Sequence, residues 1–180
     1  MVRYAELLPP EVQEMLGNKA LGIDEQLRFL EHQISRHPAK DRLHWAVAPF
    51  APQRCTPKLL EGCGQIAERH DLQLYTHVYE TRGQRLIARD NFAQHKGSFI
   101  EYFDSVGLLG PRLNIVHSVW IGRDEMDRMA RADAGIVLNH LSNLKLKSGI
   151  APVLDMRDSG VRLALGCDNC SGSDVQNMFQ

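Results

Sequence analysis

Four ionisable side chains stand at or just beyond the ends of predicted strands, and their types suit metal-assisted chemistry. His77 lies near the end of LQLYTHV (72–78), Glu80 follows it by three residues, and His117 and Asp168 stand at the ends of two later strands. Neutral imidazole nitrogens and carboxylate oxygens are ligands for zinc, iron and manganese. A single histidine at a strand end is more often a hydrogen-bonded structural residue than a ligand. Three such strand ends, with a glutamate beside one of them, favour a metal site.

The three-residue spacing of His77 and Glu80 requires a turn in the backbone if the two side chains are to meet. Side chains alternate between the two faces of a strand, so positions three apart point in opposite directions. These two side chains can converge only if the strand ends near Val78 and the chain curls back over its own end. Such a geometry is more typical of a site than of a core.

Predicted helices and strands alternate along the chain and position these residues. Ile23, Leu27, Leu30 and Ile34 recur at helical spacing, and the pair His37–Pro38 ends that helix. Further helices are predicted over 56–70, 98–110, 123–133 and 149–160. Short apolar runs predict strands over 43–50, 72–78, 112–120, 135–140 and 161–168.

Five strands separated by helices predict a parallel sheet of the α/β class. In the last strand Ala164, Gly166 and Asp168 share one face, and small residues there suit the crowded interior of a barrel. In parallel barrels the catalytic residues stand at the carboxyl ends of the strands. We therefore expect His77, His117 and Asp168 at one end of such a sheet.

Composition narrows the class of protein. The chain has 180 residues, 43% of them hydrophobic, which suffices for one domain with a substantial core. Its 21 Lys and Arg against 22 Asp and Glu argue against a nucleic-acid or anionic-membrane partner bound by bulk charge. No apolar run approaches the ~20 residues that span a bilayer, and MVRYAELLPP lacks the apolar core of a signal peptide. Four cysteines do not make a disulfide scaffold, so we expect a soluble cytoplasmic protein.

Several stretches follow one another in the order seen in a known enzyme superfamily. They are WAVAPFAPQRCTPKLL, THVYET, NIVHSVW, LNHLSNLKLKSGIAPVLDMRDSGVRLALGCD and DVQNMF. From about Leu43 to the C-terminus the chain resembles the amidohydrolase superfamily. It most resembles the branch of guanine, cytosine and S-adenosylhomocysteine deaminases and triazine hydrolases. The resemblance implies a partial TIM-type (β/α) barrel, of which the chain carries about strands four to eight.

The resemblance also implies a role for each candidate residue. His77 would be the metal ligand of the fifth barrel strand and Asp168 that of the eighth, with Asp168 also taking a proton from the catalytic water. Glu80 would carry protons between that water and the leaving amine. His117, on the sixth strand, would polarise the substrate or touch the water in mononuclear members, and it binds metal in binuclear ones. The implied cofactor is a divalent metal, zinc in the first place, with iron and manganese as alternatives.

The chain departs from the family pattern in three respects. No two of its eight histidines have the His-x-His spacing through which the first barrel strand supplies two more ligands. Too little chain precedes Leu43 for three strand–helix units, and the sequence stops at NMFQ inside an expected helix. We therefore expect residues 1–180 to form a single partial amidohydrolase barrel domain, truncated at both ends. Phe50 stands where many relatives carry a substrate-contacting histidine, so the resemblance does not identify the substrate.

These features predict a metal-dependent hydrolase of carbon–nitrogen bonds, deaminase-like, acting on a small amino-substituted heterocycle in the complete protein. Hydrolytic dechlorination or amide cleavage at the same site is the alternative among enzymes. A non-catalytic partial barrel is the alternative from another class, and the missing His-x-His pair favours it. Because two sheet edges would be unpaired, we expect the chain alone to self-associate and to lack enzymatic competence.

Two further signals have a structural interpretation. Cys167 and Cys170 form a C-x-x-C pair around Asp168. One such pair cannot close a structural zinc site, so packing of small residues is preferred. His140 also stands at a predicted strand end, but the family makes no consistent use of it.

Two groups of polar residues near the candidate site allow alternatives. Arg82, Arg85 and Arg89 recur at helical spacing and are interpreted as a solvated helix face, with an anion clamp as the alternative. Ser142 and Asn143 follow a predicted strand end, where loop hydrogen bonding is the default and lining the site is the alternative.

Overall fold

The computed structural model describes residues 21–169 and residue 177. The chain divides into two compact units, residues 1–45 and residues 46–180. The expectation of one partial barrel domain over the whole chain stays a prediction.

The described part of the first unit contains one α-helix, α1 (Ile23–Arg36). Its bounds agree with the helix predicted from the spacing of its apolar residues. After the helix, Lys40 and Leu43 form an antiparallel bridge. The Trp45 indole Nε1–H donates a 2.6 Å hydrogen bond to the carbonyl oxygen of His37.

The second unit is built on a five-stranded sheet with helices between successive strands. The strands are β1 (Ala46–Val47), β2 (Gln73–Val78), β3 (Leu113–His117), β4 (Gly135–Leu138) and β5 (Arg162–Leu165). The α-helices are α2 (Pro57–Arg69), α3 (Arg82–Asn91), α4 (Phe99–Ser105), α5 (Arg123–Arg131), α6 (His140–Lys145) and α7 (Val153–Ser159). The strands lie in chain order, and all neighbours are parallel. The predicted parallel α/β sheet is confirmed, and all five carboxyl ends meet at one edge.

Strand β2 has one closed face and one half-open face. Leu74, Thr76 and Val78 are buried, whereas Tyr75 and His77 between them are half-buried. The closed face packs in the core beneath the helices, whose largest buried side chains include Phe99, Phe103, Met129 and Met156. The half-open face therefore carries His77 toward the carboxyl edge of the sheet.

Helix α2 connects β1 to β2, and its local sequence explains where it begins and which face it buries. The Thr56 hydroxyl caps the helix by accepting the Leu59 N–H at 3.2 Å, and Pro57 occupies the first helical position. Its buried side chains, Leu60, Cys63, Ile66 and Ala67, form one apolar face.

Some elements are shorter than predicted because turns interrupt the apolar runs. Strand β1 covers only Ala46–Val47 of the predicted 43–50, since the prolines that follow lack the N–H a ladder needs. Strand β4 stops at Leu138 because the next residue opens α6: the Asn143 N–H donates to the Asn139 carbonyl at 2.9 Å. Helix α6 thus replaces the predicted strand end and loop in this segment.

Three findings complete the comparison with the sequence-based expectations. The basic stretch after β2 is helical, as α3. The motif DVQNMF lies outside the described residues, apart from Asn177. Among the described residues, no helix has the length and apolar character needed to cross a membrane.

Candidate metal centre

Three of the predicted site residues meet at the carboxyl edge of the sheet. The imidazole rings of His77 and His117 stack with their centroids 5.4 Å apart and an interplanar angle of 24°. His117 Nε2 lies 4.0 Å from Asp168 Oδ2. The structure therefore brings together side chains that are up to 91 residues apart in the sequence, from His77 to Asp168. The roles of these residues stay a prediction.

The backbone at these strand ends adopts the left-handed conformation. Its φ angles are 53° at Tyr79, 74° at His117, 54° at Ser118 and 62° at Asp168. Residues other than glycine rarely adopt this region, at a cost of about 1–3 kcal/mol each, and they concentrate at functional sites. The rest of the fold must therefore hold these turns in place.

The left-handed turn at His117 explains how its ring reaches His77. In the β2–β3 register His117 pairs with Val78, whose side chain is buried on the closed face, and Val116 pairs with His77. Regular alternation would direct the His117 side chain away from His77. The positive φ at His117 breaks the alternation and lets the two rings stack.

Hydrogen bonding defines which nitrogen of His77 carries its proton. His77 Nδ1 lies 2.7 Å from the carbonyl oxygen of Phe50, which can only accept, so Nδ1 is the donor. In the neutral imidazole the lone pair is then on Nε2. The Phe50 ring stacks on His77 at 4.8 Å, and the Arg54 guanidinium lies 4.7 Å above the Phe50 ring. The ring orientation of His77 is thus set by both a hydrogen bond and stacking.

Ser142 and Asn143 support the same cluster from α6. The Asn143 side-chain oxygen accepts from His117 Nδ1 at 2.8 Å, which leaves the lone pair of a neutral His117 on Nε2. The Ser142 hydroxyl donates to Asp168 Oδ2 at 2.5 Å. Both residues are buried. The default interpretation as loop hydrogen bonding is wrong for them, because they lie on a helix whose start the short apolar run did not reveal.

The pKa of Asp168 lies below its ordinary value. Burial raises this pKa, but the hydrogen bonds from the Ser142 hydroxyl and the Asn169 N–H outweigh it, assisted by the nearby His117 and His77. Asp168 is therefore a carboxylate at neutral pH, as an anionic ligand or a proton acceptor must be.

Glu80 follows directly on the left-handed turn at Tyr79, which curls the chain over the end of β2. Its backbone N–H donates to the Gln84 side-chain oxygen at 2.8 Å. The carboxylate is half-buried and makes no hydrogen bond to any residue that the structure describes. Its proposed role as a proton shuttle stays a prediction.

The donor types of the cluster fit a divalent metal. Two imidazole Nε2 atoms and one carboxylate are ligands of the kind that zinc takes. Within residues 21–169 and 177, no group of three or more His, Cys, Asp or Glu side chains is arranged to hold a metal ion. Cys167 is a half-buried free thiol, and Cys170 lies outside the described residues. His77, His117 and Asp168 thus have the donor atoms that a zinc centre needs, but among the described residues they form only part of one.

The expected solvated arginine face is wrong for Arg85. Its Nη1 lies 2.9 Å from Glu125 Oε2, and its guanidinium lies 5.0 Å from the Tyr79 ring centroid. Burial, and then the charge of Glu125, raise the pKa of Tyr79. Arg82 and Arg89 are exposed, and Arg89 pairs with Asp90. Sequence spacing alone did not reveal the partner of Arg85, which is 40 residues away.

Comparison with known proteins identifies related chains. A sequence model of the amidohydrolase family matches residues 8–180. The chain is 35% identical over 142 residues to the 5'-deoxyadenosine deaminase of Methanothermobacter thermautotrophicus, covering 79% of this chain and 33% of the relative. It is 32% identical over 172 residues to the 8-oxoguanine deaminase of Pseudomonas aeruginosa, covering 96% and 37%.

A solved structure extends the comparison to the fold. An adenosine deaminase from Xanthomonas campestris with bound zinc superposes with a TM-score of 0.73 at 28% identity, covering 86% of this chain and 34% of that one. The expected partial TIM-type barrel fold is thereby confirmed. The chain spans about a third of the length of each of these proteins.

Proposed function

Because this chain belongs to the amidohydrolase family, we propose that its strand-end cluster is part of the metal centre of a hydrolase that deaminates amino-substituted heterocycles. The two curated relatives are named deaminases of a deoxyadenosine and of an oxidised guanine. Their substrates share an exocyclic amino group on a purine ring. The proposal applies to a complete barrel protein, since the two relatives are about three times as long as this chain.

One observation carries the proposal. His77, His117 and Asp168, from three different strand ends, come together with both histidines bonded through Nδ1 to an oxygen. This arrangement leaves both Nε2 lone pairs available for a metal, and second hydrogen bonds of this kind are typical of metal-binding histidines. A purely structural histidine cluster has no need of two rings with the same orientation.

Zinc is the metal that we propose. The donor set of nitrogens and a carboxylate suits it, and the related adenosine deaminase contains it. Bound there, zinc would lower the pKa of a coordinated water toward neutrality. His77 and Asp168 would hold it, and His117 would contact the substrate or the water.

The carboxylates would move the protons of the reaction. Deamination adds water to the ring carbon that carries the amino group, breaks the carbon–nitrogen bond and releases ammonia. Asp168, ionised at neutral pH, would take the proton from the attacking water. Glu80, half-buried and without a hydrogen-bonded partner among the described residues, would carry this proton to the departing nitrogen, so that the amino group leaves as ammonia and the hydroxyl stays on the ring.

The test is ammonia release from aminopurines. Residues 43–169 of this chain would replace the matching third of the Methanothermobacter deaminase, so that the assay uses a complete barrel. We expect zinc-dependent ammonia release from the chimera and none from the isolated 180-residue chain. A folded, zinc-loaded chimera without turnover on any aminopurine would refute the proposal.

A further inference from the structure

A buried carboxylate, Glu125, organises a hydrogen-bonded cluster beneath the strand end that leads to Glu80. Glu125 is 7% exposed and accepts from the Tyr79 hydroxyl at 2.6 Å and the Ser98 hydroxyl at 2.5 Å. Arg85 Nη1 donates to both of its oxygens, at 3.0 and 2.9 Å, and the Gly122 N–H donates at 2.9 Å. We call these four partners and Glu125 the Glu125 cluster.

The cluster compensates the cost of burying its charge. A carboxylate removed from water is stable only when it is paired and its oxygens are hydrogen-bonded, and both conditions hold at Glu125. Removing one partner of such a group is therefore costly. The arrangement connects β2, α3, the residue before α4, and the first turn of α5.

Tyr79 is held at both ends of its side chain. Its ring is 0% exposed and stacks on Phe99 at 5.2 Å, with the Arg85 guanidinium over it. Its hydroxyl donates to Glu125 and accepts the Phe99 N–H at 2.8 Å. The hydroxyl thus makes two hydrogen bonds, as a donor and as an acceptor, while the buried ring packs between Phe99 and Arg85.

The backbone of Tyr79 is where the chain turns toward Glu80. Its φ of 53° is an unfavourable conformation that needs external support. Its carbonyl accepts the Trp120 N–H at 3.0 Å. The next residue, Glu80, donates its N–H to the Gln84 side chain at 2.8 Å. The backbone on both sides of Glu80 is therefore fixed, while its carboxylate is left without such a bond among the described residues.

We propose that Tyr79 and Glu125 are positioning residues that hold Glu80 at the candidate metal centre. The proposal deepens the proposed function and rests on it, because Glu80 has its role only there. Neither residue touches His77, His117 or Asp168 through a side-chain hydrogen bond recorded in the described part of the chain. Loss of the cluster should thus displace Glu80 and leave the metal ligands in place.

A merely structural cluster would behave differently. It would lower the free energy of unfolding when altered, but the molecules that remained folded would keep the wild-type geometry at Glu80. A positioning cluster instead changes the local order at Glu80, and the turnover number, at temperatures where the whole protein is folded.

The test substitution is Tyr79→Phe, which keeps the ring and removes the hydroxyl. The matched control is Arg128→Gln, because Arg128 also joins α5 to α4, through Glu101 and Asp104, but is outside the Glu125 cluster. Amide hydrogen exchange on the full 180-residue chain is the first measurement. We expect faster exchange at the Glu80 and Gln84 amides in Tyr79→Phe, unchanged exchange within β2, and no such effect in the control.

The second measurement separates positioning from binding. In the chimera described above, Tyr79→Phe should lower kcat by about tenfold, part of the 10²–10⁴ that proton transfer contributes, with KM and zinc affinity unchanged. Glu125→Gln should act in the same direction, and if it does not fold, Tyr79→Phe decides alone.

Each other outcome counts against the proposal. Unchanged exchange at Glu80, or a wild-type kcat in folded Tyr79→Phe, would overturn it, and so would a parallel loss of zinc affinity. If the unsubstituted chimera releases no ammonia, the proposed function fails, and the positioning role, which depends on it, fails with it. The exchange measurement would then still report whether the cluster orders the Glu80 backbone.

Discussion

At the scale of single residues, the site is built from unfavourable backbone conformations. Tyr79, His117 and Asp168 each have positive φ at a strand end, and each makes a hydrogen bond through its side chain or lies in contact with a site residue. Glycine would relieve the backbone cost at these positions, but it would remove the side chain that does the chemistry. The strain is therefore a consequence of placing functional side chains where the chain must turn.

Glu80→Gln gives the first prediction. The substitution keeps the size of the side chain and replaces the carboxylate by an amide, which cannot carry a proton between the water and the leaving nitrogen. In the chimera we expect the turnover number to fall about 10²–10⁴-fold, the range of general acid–base catalysis, with zinc content unchanged. Steady-state ammonia release and metal analysis on the same sample measure both quantities. Retention of full turnover would contradict the shuttle role.

A second prediction concerns Cys63 on α2. Burial first, and then the neighbouring Cys55, raise the pKa of the Cys63 thiol to about 11. Because only the thiolate reacts, iodoacetamide at pH 8 should leave Cys63 unmodified in the folded chain, and its reaction should accelerate about tenfold per pH unit toward that pKa. Mass spectrometry after labelling, with a urea-unfolded sample as the control, measures this. Rapid labelling of Cys63 at pH 8 would contradict its burial.

At the scale of elements, the helix that follows β4 presents side chains to two neighbouring strand ends. Helix α6 begins two residues after β4 and places Ser142 against Asp168 and Asn143 against His117. The space between β4 and β5 is correspondingly tight. A Cβ atom on Gly166 would overlap the Asn139 side-chain oxygen, so a larger residue there would require the Asn139 side chain to move.

The third prediction tests the support that α6 gives to Asp168. Ser142→Ala removes the hydroxyl that donates to Asp168 and helps to keep its pKa low. Outer partners of metal ligands typically contribute about 10–100-fold to metal affinity, and we expect a loss of that size. Zinc titration of the chimera with and without Ser142→Ala measures this loss of affinity. Ser159→Ala is the control, because the Ser159 hydroxyl donates to the Met156 carbonyl and accepts the Val161 N–H but bonds no candidate site residue. It should bind zinc like the wild type. Equal affinities for both variants would contradict the role of Ser142.

Local patterns predicted the elements well where burial alternates or recurs regularly. The alternation in β2 and the spacing in α1 follow directly from the side chains that each element buries. Patterns could not reveal the turn at His117, because its conformation is set by contacts with Asn143 and His77. The Glu125 cluster was also beyond local reach, since its members are far apart in the chain.

At the scale of the whole molecule, the described sheet has two edge strands, β1 and β5. All four residues of β5 are exposed, including Leu163 at 38% and Leu165 at 56%. An exposed edge with apolar side chains is a template for pairing with another chain. This observation supports the expected self-association of the isolated chain, which stays a prediction.

The fourth prediction follows from that edge. Replacing Leu163 and Leu165 together by lysine should shift the 180-residue chain toward the monomer, because charged side chains on an edge strand oppose pairing. Light scattering after size-exclusion chromatography measures the mass. Replacing Leu86 and Ile87 of α3 by lysine is the matched control, since these residues are also partly exposed but lie on a helix. A wild-type chain that is already monomeric would contradict the prediction.

The most direct test of the proposed metal centre is zinc titration of the chimera by calorimetry, because this chain carries only part of the ligand set. We expect one zinc ion per chimera, with binding strongly weakened in His77→Ala and in Asp168→Ala. His140→Ala is the matched control, because His140 is an exposed histidine at the same end of the sheet, and it should bind like the wild type. Zinc binding that survives both His77→Ala and Asp168→Ala would show that these residues are not ligands, and an unsubstituted chimera that binds no zinc would contradict a metal centre at these strand ends.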